Sequence, residues 1–321
     1  MKKLLIWLPG MLSMLAACTE AVEIPARAPE KQSPVRVELH LTTEQQAATR
    51  AMDENCIRDV NLYLYGDTEY HFYFPSVSSP LVFNVLPGNY RSYAIANAGQ
   101  DLGDKNAFKI QFYETAVDVM ESSDAIPMTD RGTLAVDGAG RCTPSSLRVT
   151  RSAAKIAYTI EVADAVAPSL RLRSVQFCNL PLTIRPFDSG SISSTVEANY
   201  YDGEAMPVGN ERRTAGTAYL FENLQGSVDT ITDQKDKCPE NAPACATYLR
   251  ILAERSADKA LVEYIVYPGE NNTSDFNVRR NTWHNLELVI RGENEIDNRV
   301  LVYDGLYSVS YTHLTLPTSD L

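Results

Sequence analysis

The stretch IRDVNLYLYGDTEYHFYFPSVSSPLVFNVLPGNYRSYAIA, residues 57–96, decides the fold. In its first part (VNLYLY, residues 60–65) apolar residues alternate with polar or aromatic ones, a pattern typical of a half-buried strand. Pro87 and Gly88 predict a type II turn. Short strands at intervals of about ten residues indicate an antiparallel sandwich or barrel. The strands predicted here are residues 57–65, 70–74, 81–86 and 90–96.

The same alternation occurs upstream, in VRVELHL at residues 35–41. Charged or polar residues (Arg36, Glu38 and His40) separate the apolar ones, so the segment predicts a strand with one buried face. The residues expected on that buried face are Val35, Val37, Leu39 and Leu41.

A second region rich in predicted strands starts near Leu147, and its first strand alternates apolar and polar residues over 155–162. Between the two regions, residues 113–120 (YETAVDVM) fit either a short helix or a strand. We therefore expect an all-β protein with an N-terminal domain over 35–145 and a C-terminal domain over 146–307. The further predicted strands are residues 170–180, 217–221, 247–253, 260–267 and 283–291, with another beginning near residue 300.

The first seventeen residues have the composition of a secretory signal, with two lysines before an apolar run of about a dozen residues. The sequence Leu-Ala-Ala-Cys, ending at Cys18, resembles a bacterial lipobox, whose cysteine is acylated and becomes the mature N-terminus. The alternative is a plain cleaved signal followed by an incidental cysteine. Residues 18–34 carry three prolines and no apolar period, which predicts a flexible tether. We expect a protein held on the outer membrane by lipid.

The chain has 321 residues, with 29 Lys and Arg against 41 Asp and Glu. This acidic balance argues against nucleic acid and against electrostatic binding to an anionic bilayer. Cys238 and Cys245 flank a short loop and could form a local disulfide in an oxidising compartment, or remain two unbonded small residues. No CxxC pair or nearby histidine completes a zinc site, so no metal is expected. The alternative is a weak calcium site at acidic pairs such as Asp202 with Glu204, which otherwise are ordinary solvated charges.

Catalytic motifs are absent from the sequence. The Gly-rich DGAGRC at 137–142 lacks the full GxGxxG spacing and is expected to form a turn, and no G-x-S-x-G, HExxH or P-loop occurs. We expect the histidines His40, His71 and His284 to be surface or packing residues. The sequence therefore predicts neither an enzyme nor a bound cofactor.

The last residues do not fit the strand pattern. Residues 309–318 (VSYTHLTLPT) resemble the translation of a sequencing-library adapter. The native protein is expected to depart from this sequence near Tyr307 or Ser308, so residues 308–321 are excluded from reasoning about the fold.

Several motifs, in order along residues 35–305, resemble the fimbrillin superfamily, the subunits of type V pili. This resemblance implies two tandem transthyretin-like antiparallel β-sandwich domains, and the chain is most similar to the anchor and accessory lipoproteins of that family. The motifs are LPGNY at 86–90 with AIAN at 94–97, IPM at 126–128, RSAAKI at 151–156, YLFENLQG at 219–226, YPGENN at 267–272, DFNV at 275–278 and RNT at 280–282.

The resemblance also implies assembly by strand exchange, in which a neighbour's strand fills a groove that an arginine-specific protease opens. The candidate exchanged strand is the one at 35–41, and the candidate cleavage residues are Arg50, just after it, and Arg36, inside it. A subunit that keeps Cys18 and its lipid would keep this strand and act as an anchor. Pilus stalk and accessory subunits are then the partners. The alternative is the N-terminal part of a truncated tip adhesin that binds a host or bacterial surface ligand.

Overall fold

The computed structural model describes eighteen strands and two short 3-10 helices, Glu197–Asn199 and Gln234–Asp236. The predicted all-β class is confirmed. The residues described are 32–43, 55–77, 79–103, 126–183, 186–187, 193–292 and 295–304. The strands are β1 Val35–Thr43, β2 Val60–Tyr65, β3 Glu69–Phe74, β4 Leu81–Val85, β5 Gly88–Ala96, β6 Met128–Val136, β7 Cys142–Thr143, β8 Ser146–Arg151, β9 Ala153–Val162, β10 Leu170–Cys178, β11 Leu180–Pro181, β12 Tyr200–Tyr201, β13 Met206–Pro207, β14 Arg213–Phe221, β15 Tyr248–Arg255, β16 Leu261–Val266, β17 Thr282–Gly292 and β18 Glu295–Asp304.

The first eight strands form one sheet in the order β3-β2-β5-β6-β8-β1-β4, with β7 paired to β6. The sheet folds over on itself, because side chains from β1, β4 and β8 share one apolar core with side chains from β2, β5 and β6. A ring contact of 4.9 Å between the centroids of Phe72 and Phe83 closes one side of this sandwich. The result is a two-layered N-terminal half.

The C-terminal half is a second sandwich. One sheet has the order β14-β9-β17-β18 and the other the order β13-β10-β15-β16. Their inner faces share a core that includes Ile156 and Ile160 from β9, and Leu286 and Leu288 from β17. All four are buried, as their alternation in the sequence predicts.

The strand pairing differs from the prediction in two respects. β8 pairs with β1 and β6, so residues 146–151, predicted to open the C-terminal domain, belong with the strands of the N-terminal half. Two pairs, β1 with β8 and β9 with β17, are parallel within otherwise antiparallel sheets. Both join strands far apart in sequence, as parallel pairing requires a long connection.

The two predicted turns have different outcomes. Gly88 does not have the positive φ that a type II turn needs, and it is instead the first residue of β5. The Tyr90 hydroxyl fixes this connection by donating a hydrogen bond to the Leu86 carbonyl oxygen at 2.6 Å. The segment 137–142 does form the expected turn, between β6 and β7.

Several predictions lie outside the described residues: the signal at 1–17, Cys18, Arg50, the segment 113–120 and the tail from 308. Within the described ranges, no helix is long and apolar enough to span a bilayer.

Leu39→Ala should lower the free energy of unfolding by roughly 2–5 kcal/mol, because Leu39 is fully buried and its loss leaves a cavity. The neighbouring His40 points outward and is exposed, so His40→Ala should change the free energy of unfolding by less than about 0.5 kcal/mol. Denaturant unfolding of both variants measures the difference. Equal values would contradict the placement of β1 in the core.

Candidate functional site

The candidate site is the place of β1 between β4 and β8. β4 pairs with residues 35–39 and β8 with residues 40–43, so the two halves of β1 bind different neighbours. Val37 and Leu39 point into the core and are both 0% exposed. Without β1, the edges of β4 and β8 would be unpaired beside an apolar groove. This is the geometry that a strand from another chain could fill.

The turn at 137–142 packs against the outer part of β1. A Cβ added to Gly140 would lie 2.1 Å from the carbonyl oxygen of Arg36, and Gly140 has a φ of +79°. The Cys142 thiol donates a hydrogen bond to the Glu38 carbonyl oxygen at 3.4 Å. Only glycine allows the backbone to approach β1 this closely.

Asp137 fixes the shape of this turn. Its Oδ1 accepts hydrogen bonds from the backbone N–H groups of Ala139 and Arg141, both at 2.9 Å. Its Oδ2 accepts one from Arg141 Nε at 2.7 Å. The hydrogen bonds from Arg141 lower the pKa of Asp137 below its usual range. The turn is therefore held in position by its own side chains.

Of the candidate cleavage residues, only Arg36 lies in the described part of the chain. Its backbone belongs to the β1–β4 ladder opposite Asn84, while its side chain is exposed and pairs with Glu38 at 3.1 Å. A protease needs an accessible, unpaired backbone. The strand pairing therefore disfavours cleavage at Arg36 in the folded chain.

The short segment Pro186–Phe187 connects the two halves. The Pro186 carbonyl oxygen accepts hydrogen bonds from Thr129 Oγ1 in β6 at 3.1 Å and from an Arg280 nitrogen at 2.7 Å. Arg131, also in β6, donates to the Phe187 carbonyl oxygen at 2.8 Å. The Phe187 ring lies 5.1 Å from that of Tyr93 in an edge-on contact. Both halves thus hold this segment.

A nearly buried ion pair lies next to this segment. The guanidinium of Arg280 contacts Glu222 Oε1 at 2.8 Å, and the two side chains are 12% and 9% exposed. The backbone N–H of Arg280 also donates to Glu222 Oε2 at 3.2 Å. Since each charge lies largely out of water, neither can lose its partner without a large cost.

Arg151 makes a second connection between the halves. Its Nε donates to Asn281 Oδ1 and another of its nitrogens to Asn55 Oδ1, both at 3.2 Å. Asn281 in turn donates its backbone N–H to the Ala153 carbonyl oxygen at 2.9 Å. The motifs at 151–156 and 280–282 therefore meet at the junction between the halves, although Arg151 and Asn281 are 130 positions apart in the sequence.

Two other motifs form loops that brace each other. Asp275 Oδ1 accepts hydrogen bonds from the backbone of Glu270 at 2.9 Å and of Asn277 at 3.0 Å. Asn277 Oδ1 accepts one from the Gly226 N–H at 2.8 Å, which links the loop after β14 to this one. These side chains accept hydrogen bonds from backbone N–H groups in loop segments, which have no strand partner to pair with. Their arrangement is that of a structural network.

Lys237 and His284 are buried beside these loops. Lys237 Nζ donates to the Asn271 carbonyl oxygen at 2.8 Å and lies 5.2 Å from the Phe276 ring centroid, and burial lowers its pKa to about 8. His284 Nε2 is 3.0 Å from Thr282 Oγ1, and burial lowers its pKa to about 4. His284 is therefore a packing residue, as predicted. No cluster of three metal-ligating side chains occurs within the described residues.

Cys238 and Cys245 are both free thiols in the structure. Cys238 begins a turn in which its carbonyl oxygen accepts from Asn241 at 3.1 Å and its thiol lies 3.6 Å from the Asn241 amide. Cys245 is instead buried, and burial raises the pKa of its thiol. A disulfide between them in an oxidising compartment stays a prediction.

The comparisons with known proteins fit this description. The profile of a domain of unknown function (DUF4906) matches residues 218–288. The tip fimbrial protein Mfa3 from Porphyromonas gingivalis, solved with a C-terminal truncation, has a TM-score of 0.55 at 13% identity, with 85% of this chain and 100% of that chain covered. A fimbrilin (fimA) from Porphyromonas gingivalis W83 has a TM-score of 0.57 at 14% identity, with 84% and 96% covered. The chain shares the fold of these fimbrial proteins. A comparison with curated proteins gives no match.

Gly140→Ala should lower the free energy of unfolding by roughly 1–3 kcal/mol, because the new methyl group meets the Arg36 carbonyl oxygen and the left-handed backbone is strained. Gly138→Ala in the same turn is the matched control, since a Cβ there meets nothing within 4 Å. Its effect should stay within about 0.5 kcal/mol. Thermal unfolding checks both, and an unaffected Gly140→Ala variant would refute the close packing of this turn on β1.

Glu222→Gln should destabilise the chain by roughly 3–5 kcal/mol, because it leaves the Arg280 charge buried without its partner. Replacing both residues, Glu222→Leu with Arg280→Met, should recover much of that loss. The exposed Arg36–Glu38 pair supplies the control, and Glu38→Gln should change the free energy of unfolding by less than about 1 kcal/mol. Urea titration of these variants distinguishes a structural ion pair from an incidental one.

Proposed function

We propose that the chain is a structural subunit of a cell-surface adhesive pilus, joined to its neighbours by β-strand exchange. The observation that supports this proposal is the position of β1. It is a single segment near the start of the folded part, it lies between β4 and β8, and it buries Val37 and Leu39. A segment so placed can leave as a unit and be replaced by another strand with the same alternation.

The replacement strand would need apolar side chains at two alternate positions. Those side chains would take the places of Val37 and Leu39, while the outward positions of Arg36 and Glu38 tolerate polar residues because both are exposed. Backbone hydrogen bonds to β4 and β8 would supply affinity, and the two apolar positions would supply register. A neighbouring pilus subunit is the partner that fits this requirement.

We further propose that acylation of Cys18 makes this subunit the anchor or an accessory subunit. Cys18 precedes β1, and Arg50 follows it, so cleavage after Arg50 would separate both the lipid and β1 from the rest of the chain. A chain that keeps its lipid keeps its own β1, and its groove stays filled. A fibre would then end at this subunit, on the outer membrane.

The exchange can be tested with a synthetic peptide of residues 34–43. The full chain is cut with an arginine-specific protease, and fluorescent peptide is added. We expect the cut chain to take up the peptide, whereas the uncut chain and an Arg50→Lys variant should not. A peptide carrying Val37→Asp and Leu39→Asp should fail to bind, because two charges would enter an apolar core.

The matched control peptide carries Arg36→Ser and Glu38→Ser, which change only the outward face. It should bind about as well as the native peptide. If both altered peptides bind equally, the inward face does not determine exchange and the proposal fails.

The anchoring role predicts that Cys18→Ala releases the protein into the medium, because one acylated residue provides the membrane attachment. Fractionation and electron microscopy should then show the variant outside the membrane fraction and pili that are shed or overlong. Unchanged attachment and fibre length would exclude the anchor role while leaving strand exchange untouched.

A further inference from the structure

An open cavity of about 350 Å³ lies on the outer face of the N-terminal sandwich. Three of its lining residues, Tyr65, Arg91 and Thr133, form a row across β2, β5 and β6, since Tyr65 is paired with Arg91 and Arg91 with Thr133. Directly opposite side chains in antiparallel strands lie about 5 Å apart. The row therefore presents an aromatic ring, a guanidinium and a hydroxyl side by side. The other lining residues are Asn89, Tyr90, Leu134, Ala135 and Thr143.

Arg91 distinguishes this cavity from the rest of an acidic surface. Its side chain is exposed, and among the residues that the structure describes it has neither an ion pair nor a hydrogen bond. Several other exposed arginines are paired, such as Arg173 with Glu254 and Arg141 with Asp137. In a protein of net charge −12, an arginine without a carboxylate partner beside a cavity is a ready site for an anion.

Tyr65 is held in place by its neighbours. Its ring stacks on Tyr63, with centroids 6.3 Å apart and planes 8° apart, and it makes an edge-on contact with Tyr93 at 5.7 Å. Tyr63 and Tyr93 are buried against the C-terminal half, whereas Tyr65 is half-buried and lines the cavity. The ring is therefore preorganised rather than loose, so that a ligand would lose little affinity to ordering it.

We infer that this cavity binds a sugar residue that carries a carboxylate. The volume is within the range of small-ligand sites. The guanidinium of Arg91 would hold the carboxylate through two hydrogen bonds, the ring of Tyr65 would cover the apolar face of the sugar, and Asn89 and Thr133 would meet its hydroxyl groups. This site is independent of strand exchange at β1, and it goes beyond the role of a structural subunit.

The mixture of groups argues against other small ligands. A purely apolar ligand would leave Arg91, Asn89 and Thr133 to be desolvated without partners. A nucleotide carries several negative charges, and an acidic chain with a single unpaired cation at the cavity would repel most of them. A carboxylated sugar needs one cation, one ring and several neutral hydrogen-bonding groups, and the cavity provides these.

The test uses the full chain in detergent, with binding followed by calorimetry and saturation-transfer NMR. The probes are methyl glucuronide and N-acetylneuraminic acid, with methyl glucoside as the neutral counterpart of the first. We expect at least one acidic sugar to bind at millimolar concentration, and the glucoside to bind about 10- to 100-fold more weakly, as the loss of a charge-assisted pair requires. An acidic peptide without sugar should not compete.

Arg91→Gln should remove the preference for the acidic sugar, and Tyr65→Ala should weaken both sugars, whereas Tyr65→Phe, which keeps the ring, should retain binding. Arg171→Gln is the matched control, because Arg171 is likewise an exposed arginine within a strand but lies in β10 of the C-terminal half. Circular dichroism confirms that each variant is folded. The proposal is overturned if neither acidic sugar binds, or if Arg91→Gln and Arg171→Gln change the preference for the acidic sugar equally. It is also overturned if the acidic peptide displaces the acidic sugars.

Discussion

The burial of Val37 and Leu39 from β1 is the interaction on which the N-terminal half depends. β1 joins β4, whose residues lie about 45 positions downstream, to β8, which lies about 105 positions downstream. No local contact can replace it, since its partners come from distant parts of the chain. The N-terminal layer β4-β1-β8 therefore exists only while a strand occupies the central position, and the core beneath it is closed by the same strand.

Much of this fold could be predicted from alternation alone. In β1, β9 and β17, large apolar residues at alternate positions identify the buried face, because burial of one face of a strand selects apolar residues at every second position. β6 could not be found in this way. Its middle residues, Arg131-Gly132-Thr133, are all exposed, so the pattern that marks a strand is missing although the backbone pairs along its whole length with β5. Pairing partners, parallel direction and the place of β8 depend on contacts between distant segments, which a single sequence does not contain.

The candidate site, too, could be predicted from the sequence only in part. The inward residues of β1 follow from the sequence, but the packing of Gly140 on Arg36 does not, because the DGAGRC motif indicates only that a turn exists. The motifs from which the fimbrillin resemblance was inferred prove to be structural: Tyr90 fixes the β4–β5 connection, and Asp275 fixes the loop before β17. They therefore identify a fold. The chemistry of a ligand site has to be sought among residues that the fold does not need for its own hydrogen bonds.

Arg91 and Thr133 meet that condition better than the buried polar residues do, and Tyr65 adds an aromatic ring beside them. They lie on the outer face of the layer β3-β2-β5-β6, whereas β1 belongs to the opposite layer with β4 and β8. Exchange of β1 would replace a strand in the layer with β4 and β8. The strands β3, β2, β5 and β6 of the other layer would keep their hydrogen bonds to one another. The two proposed activities therefore use different layers of one sandwich. A subunit built in this way could be linked into a fibre through one layer while the other presents a constant surface to solvent, because the strands that carry Tyr65, Arg91 and Thr133 do not depend on which strand fills the groove.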